Sequence, residues 1–161
     1  MKESFQNFLV ENLSFLPPEV IVIVISAMPI LELRGGIPFA FLAGLSYSEA
    51  LFYSILGNLL PIIPILILFR PLSTFFMRFP IYKSFFDWLY NRTMNKSANV
   101  EKFGALGLIL FTAVPLPTTG AWSACLAAIL FFIPFRAAFL AIATGVIIAG
   151  VGVSLFVYSV F

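Results

Sequence analysis

Histidine is missing from this 161-residue chain, aspartate occurs once, at Asp87, and cysteine once, at Cys125. Without histidine, imidazole acid–base chemistry and most zinc or copper sites are excluded. A lone cysteine supports neither a disulfide framework nor a thiolate metal site. Charge is scarce as well: Asp, Glu, Lys and Arg make up 10% of the chain, and a net charge of +2 is too small to point to nucleic acid. What is abundant is apolar surface, at 61% hydrophobic residues with 20 phenylalanines. Soluble domains run at about 45–50% apolar and about 25% charged, so composition predicts an integral membrane protein.

The N-terminal segment does not read as a signal peptide, because Glu3 and Glu11 interrupt it. Phe5, Phe8, Leu9, Leu13 and Leu16 instead recur at helical spacing away from Glu3, Asn7, Glu11 and Asn12. That pattern predicts an amphipathic interfacial helix over 1–19, ended by Pro17-Pro18. Four apolar stretches follow, at Val20–Ser48, Ala50–Phe69, Phe103–Phe135 and Ala137–Phe161. The second and fourth match the ~20 residues that cross a hydrocarbon core of ~30 Å. Pro61 and Pro64 are expected to kink the second.

The first and third stretches are too long for one straight span and too short for two. Each is also broken near its middle by helix-hostile residues, Pro29 through Pro38 in one, and Pro115, Pro117 and Gly120 in the other. Two half-helices meeting at a polar tip fit the length better, and irregular backbone at membrane depth is tolerated where protein buries it. Both stretches are therefore read as re-entrant hairpins. An internal repeat accompanies them. Ser26-Ala27-Met28-Pro29 recurs as Thr112-Ala113-Val114-Pro115, Gly36 as Gly120, and Glu49-Ala50-Leu51-Phe52 as Arg136-Ala137-Ala138-Phe139. Broken segment followed by complete span is the order expected of transporter repeats.

Charge sets the expected topology. Arg70, Arg78, Lys83, Arg92, Lys96 and Lys102 fall in the central connection, and Arg136 emerges on the same side, against Lys2 alone on the other. The positive-inside rule puts the connection in the cytoplasm and both termini outside, which makes the two halves an inverted repeat. Within the connection, Ile81, Phe85, Trp88 and Leu89 alternate with Lys83, Asp87 and Arg92, suggesting a second interfacial helix.

The candidate site is the heptapeptide Glu32-Leu33-Arg34-Gly35-Gly36-Ile37-Pro38. An ionisable side chain at the bilayer centre costs roughly 2.5–3.5 kcal/mol even on a lenient scale, so such residues usually serve a site. Low-dielectric surroundings favour a neutral carboxyl, which makes Glu32 a candidate proton carrier or the counter-charge of a cationic substrate. A structural ion pair with Arg34 is the competing reading, and needs an irregular backbone because residues two apart on a helix face different ways. Arg34 is a fixed positive charge whose fork suits phosphate or carboxylate, or else a snorkelling anchor. In the second broken stretch, Pro115, Pro117, Thr118, Thr119 and Gly120 precede an expected helix start, whose unpaired N–H groups favour an anion; Thr119 could equally cap that helix. Trp122, Asn58 and Arg136 are weaker candidates, each with a packing, helix-bonding or anchoring alternative. Ala141, Gly145 and Ala149 recur every four positions and are expected to permit close helix packing.

Pro29-Ile30-Leu31-Glu32-Leu33-Arg34-Gly35-Gly36-Ile37-Pro38 and Pro115-Leu116-Pro117-Thr118-Thr119-Gly120-Ala121-Trp122 resemble the paired signatures of the putative small multidrug export family, considered a relative of the DedA/VTT membrane proteins. The resemblance covers the chain from about residue 20. It implies facing re-entrant hairpins and, from the wider group, proton-linked transport and translocation of lipid or polyprenyl phosphates. Thr118 departs from the glycine expected between Pro117 and Thr119.

The expected fold is thus an all-α integral membrane protein, a single membrane domain over 1–161. Within it, 1–19 is an amphipathic helix, 20–69 a first repeat, 70–102 a basic connection and 103–161 a second repeat. The expected function is a secondary transporter or translocase of the plasma or inner membrane, proton-coupled, with a midplane site between the hairpin tips. Its substrate would be a lipid or polyprenyl phosphate. The alternatives are a proton-coupled exporter of lipophilic cations and a structural or assembly protein. An intramembrane enzyme lacks its nucleophile–base pair or acidic metal cluster. No cofactor is expected. Partners are membrane lipids, protons and the substrate, and a homo-oligomer is compatible with the sequence.

Overall fold

The computed structural model describes residues 16–76, 80, 83–84, 100–114, 120–131 and 133–160. Among these residues the regular structure is helical: α1 (Pro18–Ala27), α2 (Glu32–Leu42), α3 (Tyr47–Leu59), α4 (Ile62–Phe76), α5 (Val100–Ala113), α6 (Ala121–Leu130) and α7 (Phe135–Val160). The pair Pro17-Pro18 opens α1, with Pro18 in the first turn where its missing N–H would be unpaired anyway. Residues 1–15 of the amphipathic helix expected over 1–19 lie outside the described residues. So does most of the expected interfacial helix around Trp88.

Each long broken stretch is a pair of short helices. At about 1.5 Å per residue, α1 and α2 are about 15 and 17 Å long, roughly half a hydrocarbon core. Met28 ends α1 by turning extended, at φ −72° and ψ 139°, because a residue before proline is disfavoured in the helical region. The break therefore spans Met28–Leu31 and does not reach Pro38, as the sequence suggested; Pro38 lies inside α2. It removes only one ladder bond, the one its N–H would have donated to the Arg34 carbonyl. Helices α1 and α2 pack on each other along an antiparallel register. Ile25 lies against Gly35 and Ser26 against Gly36, while Val22 clusters with Ala40 one turn further from the tip.

Two helical runs are long and apolar enough to cross a membrane, Tyr47–Leu68 and Phe135–Val160. The first combines α3 with the start of α4 across a break at Leu60-Pro61, where the Pro61 carbonyl still accepts from Ile65 N–H at 3.1 Å. Pro61 thus interrupts the run, whereas Pro64 sits within the first turn of α4.

The order short helix, short helix, long helix occurs twice. Leu42 and Leu130 end the second short helices 88 positions apart, and Tyr47 and Phe135 begin the long ones at the same spacing. The corners match as well. Leu45 N–H donates to the Ala40 carbonyl at 3.0 Å, and Ile133 N–H to the Ala128 carbonyl at 2.9 Å. This is the six-to-one bond that closes a helix C-terminus, aided in the first corner by Gly44 at φ +79°.

The chain forms two compact units, residues 1–58 with 150–161, and residues 59–149. In the first, a Ser46–Glu49 capping box opens α3: Ser46 hydroxyl and N–H donate to Glu49 Oε2 at 2.7 and 2.9 Å, and Glu49 N–H donates back to Ser46 Oγ at 3.4 Å. Gly57 of α3 lies against the backbone of Ile23, and Gly150 of α7 against Leu51 and Ile55. Tyr158 donates its hydroxyl to the Leu45 carbonyl at 2.7 Å, with its ring edge-on to Phe41 and Tyr47. In the second unit, α6 packs on both α4 and α5 through the buried small residues Ala121, Ala124, Cys125 and Ala128. Gly145 of α7 meets Thr112 and the Ile109 carbonyl of α5. Close packing at Gly145 was the expectation from the Ala141–Ala149 stripe.

Candidate functional site

Glu32 is the first residue of α2, at the point where the chain turns back from α1. It is 5% exposed, and its φ of +49° makes it the one non-glycine residue with a positive φ among the described residues. For a residue with a long side chain this left-handed conformation costs on the order of 1–2 kcal/mol. Its N–H donates to the Met28 carbonyl at 3.0 Å, and Gly35 N–H to the Leu31 carbonyl at 2.9 Å, so the backbone on both sides of the kink is bonded. Burial, charge and strain coincide in one residue. That combination clusters at functional sites, where the surroundings hold a conformation the chain alone would avoid.

The rest of the heptapeptide has a different part from the one its letters suggest. Gly35 and Gly36 do not form an irregular tip. They lie in α2 and let α1 approach, since any Cβ at Gly36 would collide with Ser26. Arg34 is half-buried on α2, two residues from Glu32, whose left-handed φ departs from regular helical geometry. The tip is made of Pro29 and Ile30, with Ile30 91% exposed.

Gly36 also brings together groups that the sequence did not single out. Ser26 of α1 and Ser54 of α3 both place Oγ within about 3.1 Å of the point a Gly36 Cβ would occupy. Both serines are fully buried, and neither Oγ has a hydrogen-bond partner. Asn58, one turn beyond Ser54, is 1% exposed, and its Oδ1 is likewise unpartnered. A buried polar atom left without a partner costs about 1–3 kcal/mol. The spacing of Ser54 and Asn58, four apart in a helix, was the available sequence signal. What it could not show was Gly36 lying opposite.

The stretch before α6 carries no charged residue in its sequence, Pro115-Leu116-Pro117-Thr118-Thr119-Gly120. Pro115, Pro117, Thr118 and Thr119 lie outside the described residues. Gly120 is buried and is the N-cap of α6, at φ 147° and ψ −174° with no side-chain cap. The backbone of Gly120 belongs to a region that only glycine occupies readily. Trp122 is half-buried in the first turn of α6, and Arg136 is exposed at the start of α7. Of the predicted site residues, Glu32, Arg34, Gly35, Gly36, Pro38 and Asn58 belong to the first unit, while Gly120, Trp122 and Arg136 belong to the second. Among the described residues no cluster of three His, Cys, Asp or Glu side chains could hold a metal ion.

Among the described residues the structure is all-helical, with two runs long and apolar enough to cross a membrane and two shorter apolar helices, Pro18–Ala27 and Gly104–Ala113. The family model described as putative small multi-drug export protein matches residues 32–151, and the chain belongs to that family. The match begins at Glu32 itself and runs into α7. No curated protein and no solved structure matches the chain.

Proposed function

We propose that the protein is a secondary membrane transporter in which Glu32 takes up and releases a proton during each cycle. The observation that carries this reading is the buried, left-handed Glu32 at the start of a helix too short to cross the membrane. An ionisable group within a membrane segment marks a functional site by default. In this reading α1–α2 and α5–α6 enter the membrane as re-entrant hairpins, and the basic connection lies in the cytoplasm with both termini outside.

Arg34 supports a phosphate-bearing lipid, such as a polyprenyl phosphate, as the substrate, since a guanidinium binds phosphate oxygens in pairs. The N-terminus of α6 at Gly120 favours an anion for the same electrostatic reason. The family description supports a second reading, export of a lipophilic cation against protons, with Glu32 as the counter-charge.

Reconstituted wild type, Glu32→Gln and Arg34→Ala separate these readings when proton flux, transbilayer movement of a polyprenyl phosphate, and efflux of a lipophilic cation are measured in proteoliposomes. Phosphate-lipid transport should fall to background in both variants. Cation export should be lost in Glu32→Gln and survive in Arg34→Ala. Wild-type rates in both folded variants would remove the site.

A further inference from the structure

We propose that the hydroxyls of Ser26 and Ser54 hydrogen-bond to each other in a second state of the first unit, one the protein enters during its transport cycle. In the structure the two oxygens are neighbours that do not bond. Ser26 Oγ of α1 fills the place a Gly36 Cβ would take on α2, and Ser54 Oγ of α3 lies 3.1 Å from that same point. Both serines are fully buried, and neither Oγ has a hydrogen-bond partner. Helical serines ordinarily donate to a carbonyl one turn back. Thr112, the repeat counterpart of Ser26, does so, with Oγ1 on the Leu108 carbonyl at 2.7 Å.

The fold itself does not call for these hydroxyls. The ends of the second short helices lie 88 positions apart, which sets Gly36 against Ala124 and Ser54 against Ile142. Both of those residues are fully buried, and neither brings a side-chain polar atom to its core. A buried hydroxyl without a bond destabilises the state that holds it. Two of them side by side relieve this most directly by bonding to each other, since each can donate and accept. To turn toward Ser54, Ser26 Oγ leaves its contact with Gly36, so the pairing goes with a displacement of α2. Glu32 lies one turn before Gly36 on that helix and moves with it. The bond therefore lowers the free energy of a state in which the Glu32 carboxyl has shifted, relative to the state described here. That consequence rests on the transporter reading; the pairing rests on the two serines alone.

A double-mutant cycle on the full-length protein tests the pairing. Ser26→Ala, Ser54→Ala and the double variant are compared by thermal unfolding, and in proteoliposomes by proton flux and movement of a polyprenyl phosphate or lipophilic cation. Neither single variant should melt below wild type, because the described state loses no bond. Each should slow transport about three- to tenfold, the factor one side-chain hydrogen bond contributes, and the double variant should be no slower than either. Thr112→Ala, which does lose a bond, should lower the melting temperature. Effects that multiply in the double variant would mean that each hydroxyl bonds its own helix, and would overturn the pairing. Wild-type rates in both single variants, or a fall in their melting temperature, would overturn it too. A second measurement needs no transport. In a Cys125→Ser background, Ser26→Cys with Ser54→Cys should form an intramolecular disulfide on mild oxidation, read as the loss of both free thiols. Thiols that stay reduced overturn the pairing. Should the disulfide form while wild type moves no probe, the transporter falls and the pairing stands. Should Glu32→Gln abolish transport while both serine variants keep wild-type rates, the pairing falls and the transporter stands.

Discussion

The helix pairs α1–α2 and α5–α6 follow one plan and carry different cargo. In both, a short helix is followed by a second short helix that opens at a residue with positive φ. That residue is Glu32 in the first pair; in the second the N-cap Gly120 takes this position. Both pairs end in the same six-to-one corner and pass into a long helix whose glycine, Gly57 or Gly145, meets the first short helix of its own half. The shared parts are backbone devices, while the differing parts are charged or unpartnered polar groups. Gly120 adopts its backbone angles at little cost, whereas Glu32 holds a left-handed angle that glycine would adopt more readily.

The largest expected effect breaks the shared plan. Gly57→Val and Gly145→Val each drive a side chain into neighbouring backbone, Ile23 in one case and the Ile109 carbonyl in the other. Backbone cannot yield as a side chain would, so each should lose about 3 kcal/mol or more, seen as loss of monodisperse protein in detergent. Next, the two kinks should respond in opposite senses. Gly120→Ala should destabilise by about 1–3 kcal/mol, from its φ of 147°. Glu32→Gly should instead hold or raise stability, by up to about 1–2 kcal/mol, while substrate transport drops to background. Equal destabilisation by both substitutions would mean that Glu32 is a structural residue. A smaller effect distinguishes the corners. Ser46→Ala removes the capping box before α3 and should lower the melting temperature by about 2–4 °C. Smallest of all, Ser26→Ala should hold or raise stability, by up to about 1 kcal/mol, because its buried hydroxyl has no bond to lose and its desolvation cost is removed.

Much of this plan can be read from the chain. Stretch length alone shows that 20–48 and 103–135 are broken, and the repeat spacing of 84–87 positions read from the letters lies close to the 88 of the helix ends. The break itself is misplaced by the letters. Gly35, Gly36 and Pro38 look hostile to a helix, yet α2 runs through all three. Pro38 forfeits one bond, and the glycines exchange helix propensity for close contact with α1. Propensity is a local quantity, and packing against a partner overrides it. Glu32 and Arg34 stand out because charge is rare here. Ser26 and Ser54 do not, because their meaning lies in approaches to Gly36 across 10 and 18 positions that no short motif encodes. Gly120 drew notice as a tip residue, whereas its role as a cap rests on a dihedral angle.

The hydroxyl of Tyr158 on the Leu45 carbonyl has a consequence for synthesis. The two residues are 113 positions apart, yet both belong to the first unit, which also takes in Gly150. At about 5–20 residues per second, Leu45 leaves the ribosome roughly 6–23 s before Tyr158 does. During that interval the corner between α2 and α3 has neither its phenol donor nor its edge-on aromatic partner. The nascent first unit must wait, unfinished, for a segment encoded 113 positions later.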